Sequence, residues 1–240
     1  MTAKNNNPGK DTSKPVIKAL TRISEAIISD LYLEDILKLI VSVTAEAMGS
    51  KICSLMLLDK ERKELIIKAT QSVSERYNKK PNIKLGEGIA GMVAKEGKAI
   101  TAVDVRKDPR YISTDIAKKE GLCSLLSVPL IFKGEAIGVL NSYTAKPHKF
   151  SANEIDVLKS IANQAAIVIE NFRLVVESKV IKEELETRKI IERAKGILMK
   201  REGLSEEEAY NRIRKYSMDN RKGMREVSEA IVLTEEMKKR

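Results

Sequence analysis

A capping signal followed by an unbroken heptad pattern constrains this chain more than any other feature. Ser151 and Glu154, in the string SANE, are spaced as a capping box, which satisfies two backbone donors at the start of a helix. Downstream, apolar residues recur at alternating steps of three and four, as at the a and d positions of a coiled coil. These positions are Ile155, Leu158, Ala162, Ala165, Ile169, Phe172 and Val176.

The same helix carries a second apolar stripe on another face, formed by Ile161, Val168 and Val175. A helix that is apolar on two faces needs two surfaces to pack against. We therefore predict that one face packs on the helix's own domain and that the seven a and d positions form the seam of a parallel homodimer. The alternative is one thick amphipathic helix in a monomer.

Length and charge bound the remaining possibilities. A chain of 240 residues fits one large domain or two modest ones. Its formal charge is +10, and the segment Arg188–Arg225 holds 12 basic and 6 acidic side chains. Such a surplus favours binding to a polyanion, although a solvated helix face has the same composition. With no membrane-length apolar run, no secretory signal and only 2 cysteines, we expect a cytoplasmic protein that contacts no membrane.

The chain before this helix has the pattern of an α+β domain. Residues 1–15 are polar and rich in Asn, Lys, Gly and Pro, which is typical of a disordered arm. Val16–Gly49 has helical periodicity. Two pairs of strand-like runs, each joined by a charged turn, predict two β-hairpins of an antiparallel sheet. These pairs are Ile52–Leu58 with Glu64–Ala69, and Leu122–Ile131 with Ala136–Tyr143.

The chain after Val176 becomes strongly charged. The string ESKVIKEELETRK predicts that the helix continues over residues 177–187 as an exposed coiled-coil linker. Residues 188–240 then have the periodicity of three short helices. The first of these ends near Gly203, and Ser205 with Glu208 forms a second capping box at the start of the next.

A glycine motif raises the possibility of a dinucleotide-binding enzyme. Gly86, Gly88 and Gly91 match G-x-G-x-x-G, and Asp104 follows at about the right distance. The preceding strand is short and half polar, however, and the following helix ends at Gly97, too soon for a Rossmann crossover. We interpret the motif as a tight turn with a close helix–sheet approach.

Catalytic groups are scarce elsewhere in the sequence. The single histidine, His148, lies in a polar loop beside a proline, and one histidine is too few for most triads and metal sites. Cys53 and Cys123 lie in apolar strand-like runs, where buried structural cysteines and redox sensors have the same sequence pattern. We therefore predict no catalytic residues, no metal site and no cofactor, and a sensor or binding protein instead of an enzyme.

The basic tail resembles an ANTAR domain, the three-helix RNA-binding output module of bacterial antiterminators. The resemblance rests on AKGILM (Ala194–Met199), on the spaced letters from Gly203 to Ala209, and on NRK (Asn220–Lys222). It implies binding to paired hairpins of a leader transcript. The residues it implies as RNA contacts are Lys195, Arg214, Arg221 and Lys222, with Arg188, Arg193 and Arg212 behind them.

The preceding segment is similar to a GAF domain, through strings such as GEGIAGMVAKEGKAI, DVRKDPRY and LLSVPLIFKGEAIGVLN. The resemblance implies a pocket for a small molecule, and Tyr111, Ile112, Ile116 and Ser124 fall in the segments that usually line it. The letters of the cyclic-nucleotide subclass are absent, because Ser142 follows Asn141. The ligand therefore stays open.

Together these patterns predict an α+β GAF domain over residues 16–176, with an antiparallel sheet and flanking helices. A long coiled-coil helix joins it to an all-α three-helix ANTAR domain over residues 188–240. We expect a homodimeric transcription antitermination regulator that binds RNA, not DNA, under control of a small-molecule or redox-sensing domain. The alternative is a sensor that signals through protein docking of its C-terminal helices, without RNA.

Overall fold

The computed structural model describes residues 17–18, 21–23 and 32–238. The chain divides between Phe172 and Arg173 into two compact units. The predicted arm at residues 1–15 lies outside the described residues. No helix among the described residues is long and apolar enough to cross a membrane.

A six-stranded antiparallel sheet organises the first unit. Its strands are β1 (Ile52–Asp59), β2 (Glu64–Thr70), β3 (Ile83–Lys84), β4 (Ile100–Ala102), β5 (Leu125–Phe132) and β6 (Glu135–Tyr143). Their order across the sheet is β3-β2-β1-β6-β5-β4. Both predicted hairpins are confirmed, since β1 pairs with β2 and β5 pairs with β6. At the centre, β1 pairs with β6 and places Ser54 opposite Asn141.

Helices cover both faces of this sheet. They are α1 (Leu33–Met48), α2 (Glu75–Asn78), α3 (Gly88–Glu96), α4 (Thr114–Glu120) and the first part of α5 (Ala152–Glu202). α1 and α5 pack on one face, whereas α3 and the shorter elements pack on the other. In β6, Leu140 belongs to the first core and its neighbour Val139 to the second. Because successive strand residues point to opposite faces, consecutive apolar residues of one strand contribute alternately to the two cores.

The glycine string forms the predicted tight turn. Gly86 and Gly88 have φ of 86° and 61°, a region in which residues with a Cβ are strained. A Cβ on Gly91 would lie 2.4 Å from the carbonyl oxygen of Lys84. α3 has only 9 residues. The motif therefore serves the close approach of α3 to the neighbouring backbone.

The long helix begins and ends where its signals predict. The backbone N–H of Ser151 donates to Glu154 Oε2 at 2.8 Å, and the N–H of Glu154 donates to Ser151 Oγ at 3.3 Å. The helix then continues for 51 residues, and Gly203, with φ of 69°, follows its end. Residues 177–187 are thus helical and continuous with the first helix of the tail.

The prediction of a dimer seam on the first part of α5 is wrong for four of its residues. Leu158, Ala162, Ala165 and Ile169 are buried in the core of the first unit, where α1 and the sheet cover them. A second chain cannot reach side chains that this chain already encloses. The heptad pattern here reports packing inside one domain.

The other three members of that predicted seam differ from these four. Ile155 and Phe172 are partly buried against the same core, and Val176 is exposed. The stripe of Ile161 and Val168 is also buried there, whereas Val175 is exposed. The core of the first unit therefore ends near Phe172, and the apolar side chains from Leu174 to Leu185 are exposed.

The second unit is the predicted three-helix arrangement. α6 (Glu206–Asp219) and α7 (Met224–Lys238) pack with the last part of α5. The predicted capping box is present, with Ser205 and Glu208 donating and accepting reciprocally. The buried residues that hold the three helices together are Ala194, Leu198, Ala209, Ile213, Val227 and Val232.

A pair of glycine substitutions tests the tight turn. We expect Gly91→Ala to lower the free energy of unfolding by about 1–3 kcal/mol, because its Cβ meets a backbone carbonyl that cannot move freely. Gly196→Ala is the matched control, since a Cβ at this helical position meets nothing within 4 Å. It should raise stability by about 0.5–1 kcal/mol through helix propensity. Urea unfolding followed by far-UV circular dichroism measures both, and equal effects would contradict the close approach.

Candidate functional site

A groove in the second unit gathers several basic side chains. It has a volume of about 460 Å³ and lies among the end of α5, α6 and α7. Leu198, Ile213 and Ile231 give it an apolar lining. Its polar lining includes Arg201, Arg212, Tyr216, Lys222, Glu202 and Glu226. We call this groove, with its apolar and polar lining, the tail groove.

The cations of the tail groove are exposed and only weakly held. Arg212 Nη1 lies 2.5 Å from Glu202 Oε2, and Lys222 Nζ pairs with Glu226. The hydrogen bond from Lys222 to Glu226 raises the pKa of Lys222 above its ordinary value. Arg201 has no ion pair within the described part of the chain. Exposed pairs of this kind contribute about 0–1 kcal/mol, so a phosphate can replace either carboxylate at little cost.

An aromatic ring completes the groove. Tyr216 is 57% exposed, although it sits between buried positions on α6. An exposed ring beside arginines offers a flat surface on which an unpaired base can stack. Arg221, in the turn before Lys222, is exposed and holds a left-handed backbone with φ of 52°. The turn thus presents two adjacent cations beside the groove.

Lys195 does not lie on this surface, which corrects its prediction as an RNA contact. The residue is 6% exposed. Its Nζ donates to Glu206 at 2.7 Å and to Glu192 at 2.9 Å, and these bonds hold the pKa of Lys195 above its ordinary value. Because Glu206 belongs to the first turn of α6, the ammonium ties α5 to α6. Lys195 is a structural residue here.

The remaining predicted contacts lie away from the tail groove. Arg214 follows Arg212 by two residues, and two helical residues point about 200° apart, so Arg214 faces another side of α6. Arg188 lines a second groove of about 560 Å³ with Tyr210 and three glutamates. Arg193 pairs with Glu236 at 2.7 Å. The structure therefore brings together Arg212 and Lys222 with Arg221 beside them, adds Arg201, and places Arg188, Arg193 and Arg214 elsewhere.

A second candidate site is a small cavity in the first unit, between the sheet and α3. Its volume is about 20 Å³, and we call it the sensor cavity. Tyr77, Tyr111 and Tyr143 line it together with Asn141 and Lys80. Ser54 and the first residues of α3 also line it.

Lys80 is the charged group of this cavity. Its Nζ lies 3.9 Å from the centre of the Tyr77 ring and donates to the Tyr111 hydroxyl at 3.5 Å. Burial lowers the pKa of Lys80 to about 8, and the charge of Glu120 opposes this shift. Lys80, Tyr77 and Tyr143 carry no motif, and the fold brings Tyr143 from a distant part of the sequence to the neighbouring Tyr77 and Lys80.

Two of the four predicted pocket residues line the sensor cavity, and two do not. Tyr111 and Ile112 line it. Ile116 packs partly buried against the surrounding core. Ser124 is buried elsewhere, where its hydroxyl donates to the Val103 carbonyl oxygen at 2.5 Å and accepts from the His148 N–H. The Ser124 hydroxyl thus joins the segments of Val103 and His148 and does not line the cavity.

The histidine and the cysteines have structural contacts. His148 Nε2 lies 2.7 Å from Glu154 Oε1, beside the capping box of α5. Burial raises the pKa of the Cys53 thiol to about 12, so the reactive thiolate is scarce at neutral pH. Cys123 is also buried, and Arg106 Nη2 donates to its sulfur at 3.3 Å. Cys53 is therefore a poor redox sensor.

A lysine pair tests the structural role of Lys195. Lys195→Gln should lower the melting temperature by several degrees, because Glu192 and Glu206 lose their shared partner at a buried position. Lys189→Gln removes an exposed lysine that also pairs with a glutamate three residues earlier. This substitution should change the melting temperature by about a degree or less. Thermal melts compare the two, and equal shifts would refute the structural assignment.

Comparison with known families agrees with this geometry. A GAF domain matches residues 31–170, more than half of the chain, and an ANTAR domain matches residues 180–232. The GAF domain of a phosphoenolpyruvate-protein phosphotransferase from Coxiella burnetii has a TM-score of 0.61 at 27% identity, over 68% of this chain and 98% of that one.

Two curated relatives match different parts of the molecule. A methyl sulfide methyltransferase-associated sensor of Methanosarcina acetivorans is 30% identical over 164 residues, 66% of this chain and 16% of its own length. The transcriptional regulatory protein PdtaR of Mycobacterium tuberculosis is 34% identical over 93 residues, 39% of this chain and 43% of its own. The matches thus span less than half of either relative. The chain belongs to the GAF domain family and carries a C-terminal ANTAR domain.

Proposed function

We propose that this chain is a transcription antitermination regulator whose tail binds paired RNA hairpins while its GAF domain senses a small molecule. The observation that carries the proposal is the tail groove of the ANTAR domain. Three exposed cations and an exposed tyrosine line this groove together with apolar residues. Its relatives include a transcriptional regulatory protein. The architecture is regulatory, and no catalytic role is proposed for it.

The charge balance favours the tail groove over the second groove as the RNA surface. Three cations and two carboxylates line the tail groove, whereas Arg188 stands with Glu183, Glu184 and Glu192 in the other. RNA phosphates are attracted to a local positive surplus and repelled by clustered carboxylates. Arg201, Arg212 and Lys222 are therefore our proposed phosphate contacts, and Tyr216 is our proposed stacking residue.

A second copy of the chain is the proposed partner along α5. Leu174, Ile181 and Leu185 are each about half exposed or more, and they recur at steps of seven and four on one face. Val176 lies about 200° from Leu174, on the opposite side of the helix. We propose that the dimer seam is this face, one that the first unit does not cover. Two tails held together can engage two hairpins with a gain in avidity.

The alternative function, signalling by protein docking without RNA, predicts a different salt response. RNA binding releases counterions and weakens steeply with salt, whereas docking of the apolar tail residues would not. The buried Cys53 thiol favours a small-molecule signal over a redox one, because thiolate is the reactive form. The salt dependence of RNA binding by the full chain tests the first point, and small-molecule binding by the full chain tests the second.

Charge removal in the tail groove tests the RNA surface. Arg201→Gln and Lys222→Gln should each weaken binding to a two-hairpin RNA about three- to tenfold, and should lower the salt slope by about 0.7–0.9 per lost phosphate contact. Lys189→Gln removes the same charge away from the groove and should leave affinity near that of the unchanged chain. Fluorescence anisotropy at several salt concentrations provides the measurement.

Equal losses in all three variants would mean that only the total charge matters. Unchanged affinity in the two groove variants would move the RNA surface elsewhere, and Arg214→Gln would then be the next variant to measure. Binding to duplex DNA with the same affinity would contradict the preference for RNA.

A second pair of variants tests the proposed dimer seam. Ile181→Glu places a charge in the seam and should shift the chain toward the monomer, because the charge must be buried when two helices pair. Val176→Glu introduces the same side chain on the opposite face and should leave the dimer intact. Sedimentation equilibrium measures the association constant. Dissociation by Val176→Glu alone would contradict this seam and would instead place the dimer contact on the face of Val176.

A further inference from the structure

We infer that the sensor cavity binds a small organic carboxylate that carries a hydrogen-bond donor next to its carboxyl group, such as a 2-hydroxy or 2-amino acid. The inference rests on the proposed sensing function and names the ligand class. It depends on three features of the cavity: an ammonium without a counter-charge, free backbone donors, and a buried acceptor without a donor.

The ammonium of Lys80 lacks an anionic partner. Within the described residues no carboxylate lies in ion-pair range of it, and Glu120 acts on it only from farther away. Burial raises the pKa of all three tyrosines that line the cavity, so their hydroxyls stay neutral. The hydroxyls of Tyr77 and Tyr111 already donate to Ser54 Oγ at 3.1 Å and to the Tyr143 hydroxyl at 3.4 Å. A carboxylate would supply the negative charge that Lys80 lacks.

The start of α3 adds backbone donors. Gly88, Ile89 and Ala90 line the cavity and form the first turn of the helix. Glu87 provides no side-chain cap, and in the part of the chain described none of these three N–H groups has an acceptor. Free N–H groups and the positive end of the helix dipole favour an anion at this position.

Asn141 favours a ligand that carries a hydrogen-bond donor. It is 1% exposed, and its Nδ2 donates to Ser54 Oγ at 3.4 Å, which fixes the orientation of the amide. Its Oδ1 is buried and has no hydrogen-bond partner among the described residues. A buried acceptor left unpaired is unfavourable, so a ligand hydroxyl or ammonium would satisfy it. This requirement excludes a plain carboxylate as the best ligand.

The size of the cavity restricts the ligand further. About 20 Å³ accommodates roughly one water molecule. The flexible Lys80 side chain rests on the Tyr77 ring, and its ammonium must leave the ring to pair with a carboxylate. A ligand larger than a water molecule therefore needs this movement, and a compact acid needs the least of it. One lysine also matches a single negative charge better than the double charge of a phosphate.

Calorimetry on the full chain tests the inference with matched probes. Lactate and alanine represent the two sources of the ligand chemistry, and either should bind at least tenfold more tightly than propionate, which lacks the donor. Lactamide, which lacks the charge, should not bind at millimolar concentration. Lactate affinity should fall about tenfold per pH unit above about pH 8, as free Lys80 loses its proton.

Two neighbouring lysines provide the control variants. Lys80→Met should weaken lactate binding at least tenfold, while Lys79→Met, which removes an exposed lysine paired with Glu75, should leave it unchanged. Tighter binding of phosphate than of lactate, or no binding of any acid at millimolar concentration, would overturn the inference. RNA affinity measured in the same samples separates this outcome from a failure of the proposed function.

Discussion

One uninterrupted helix contributes to two hydrophobic cores, and the rest of the structure depends on this constraint. The first part of α5 buries Leu158, Ala162 and Ile169 in the GAF core, and its last part buries Ala194 and Leu198 in the tail core. Glycine and proline are absent from the stretch between these parts, so the helix has no built-in break there. The signalling that we propose would need a two-state equilibrium that a ligand can bias, and this helix is the segment that both cores share.

The sequence predicted the elements of this fold because their signals are local. Capping boxes at Ser151 and Ser205, the charged hairpin turns and the glycine-stopped helices each depend on a few neighbouring residues. What the sequence could not predict is which surface covers an apolar stripe. The steps of three and four from Ile155 to Val176 are the same whether the facing surface is a second helix or the chain's own sheet.

The candidate sites show the same limit. A charge count located the basic tail but could not separate Lys195, which is buried between two glutamates, from Arg201, which is exposed and unpaired among the described residues. Both are cations in the same short segment. The sensor cavity was harder still, because Lys80, Asn141 and the tyrosines meet only after the sheet pairs β1 with β6 and the loops close over it.

The central claim is that two joined tails engage two hairpins of one transcript, and complex stoichiometry tests it most directly. Native mass spectrometry of the chain with a two-hairpin RNA, and with an RNA that has one of the hairpins deleted, measures how many chains each RNA carries. The account predicts two chains on the two-hairpin RNA and at least tenfold weaker binding to the shortened one, because avidity is lost. One chain per RNA, with equal affinity for both RNAs, would contradict it.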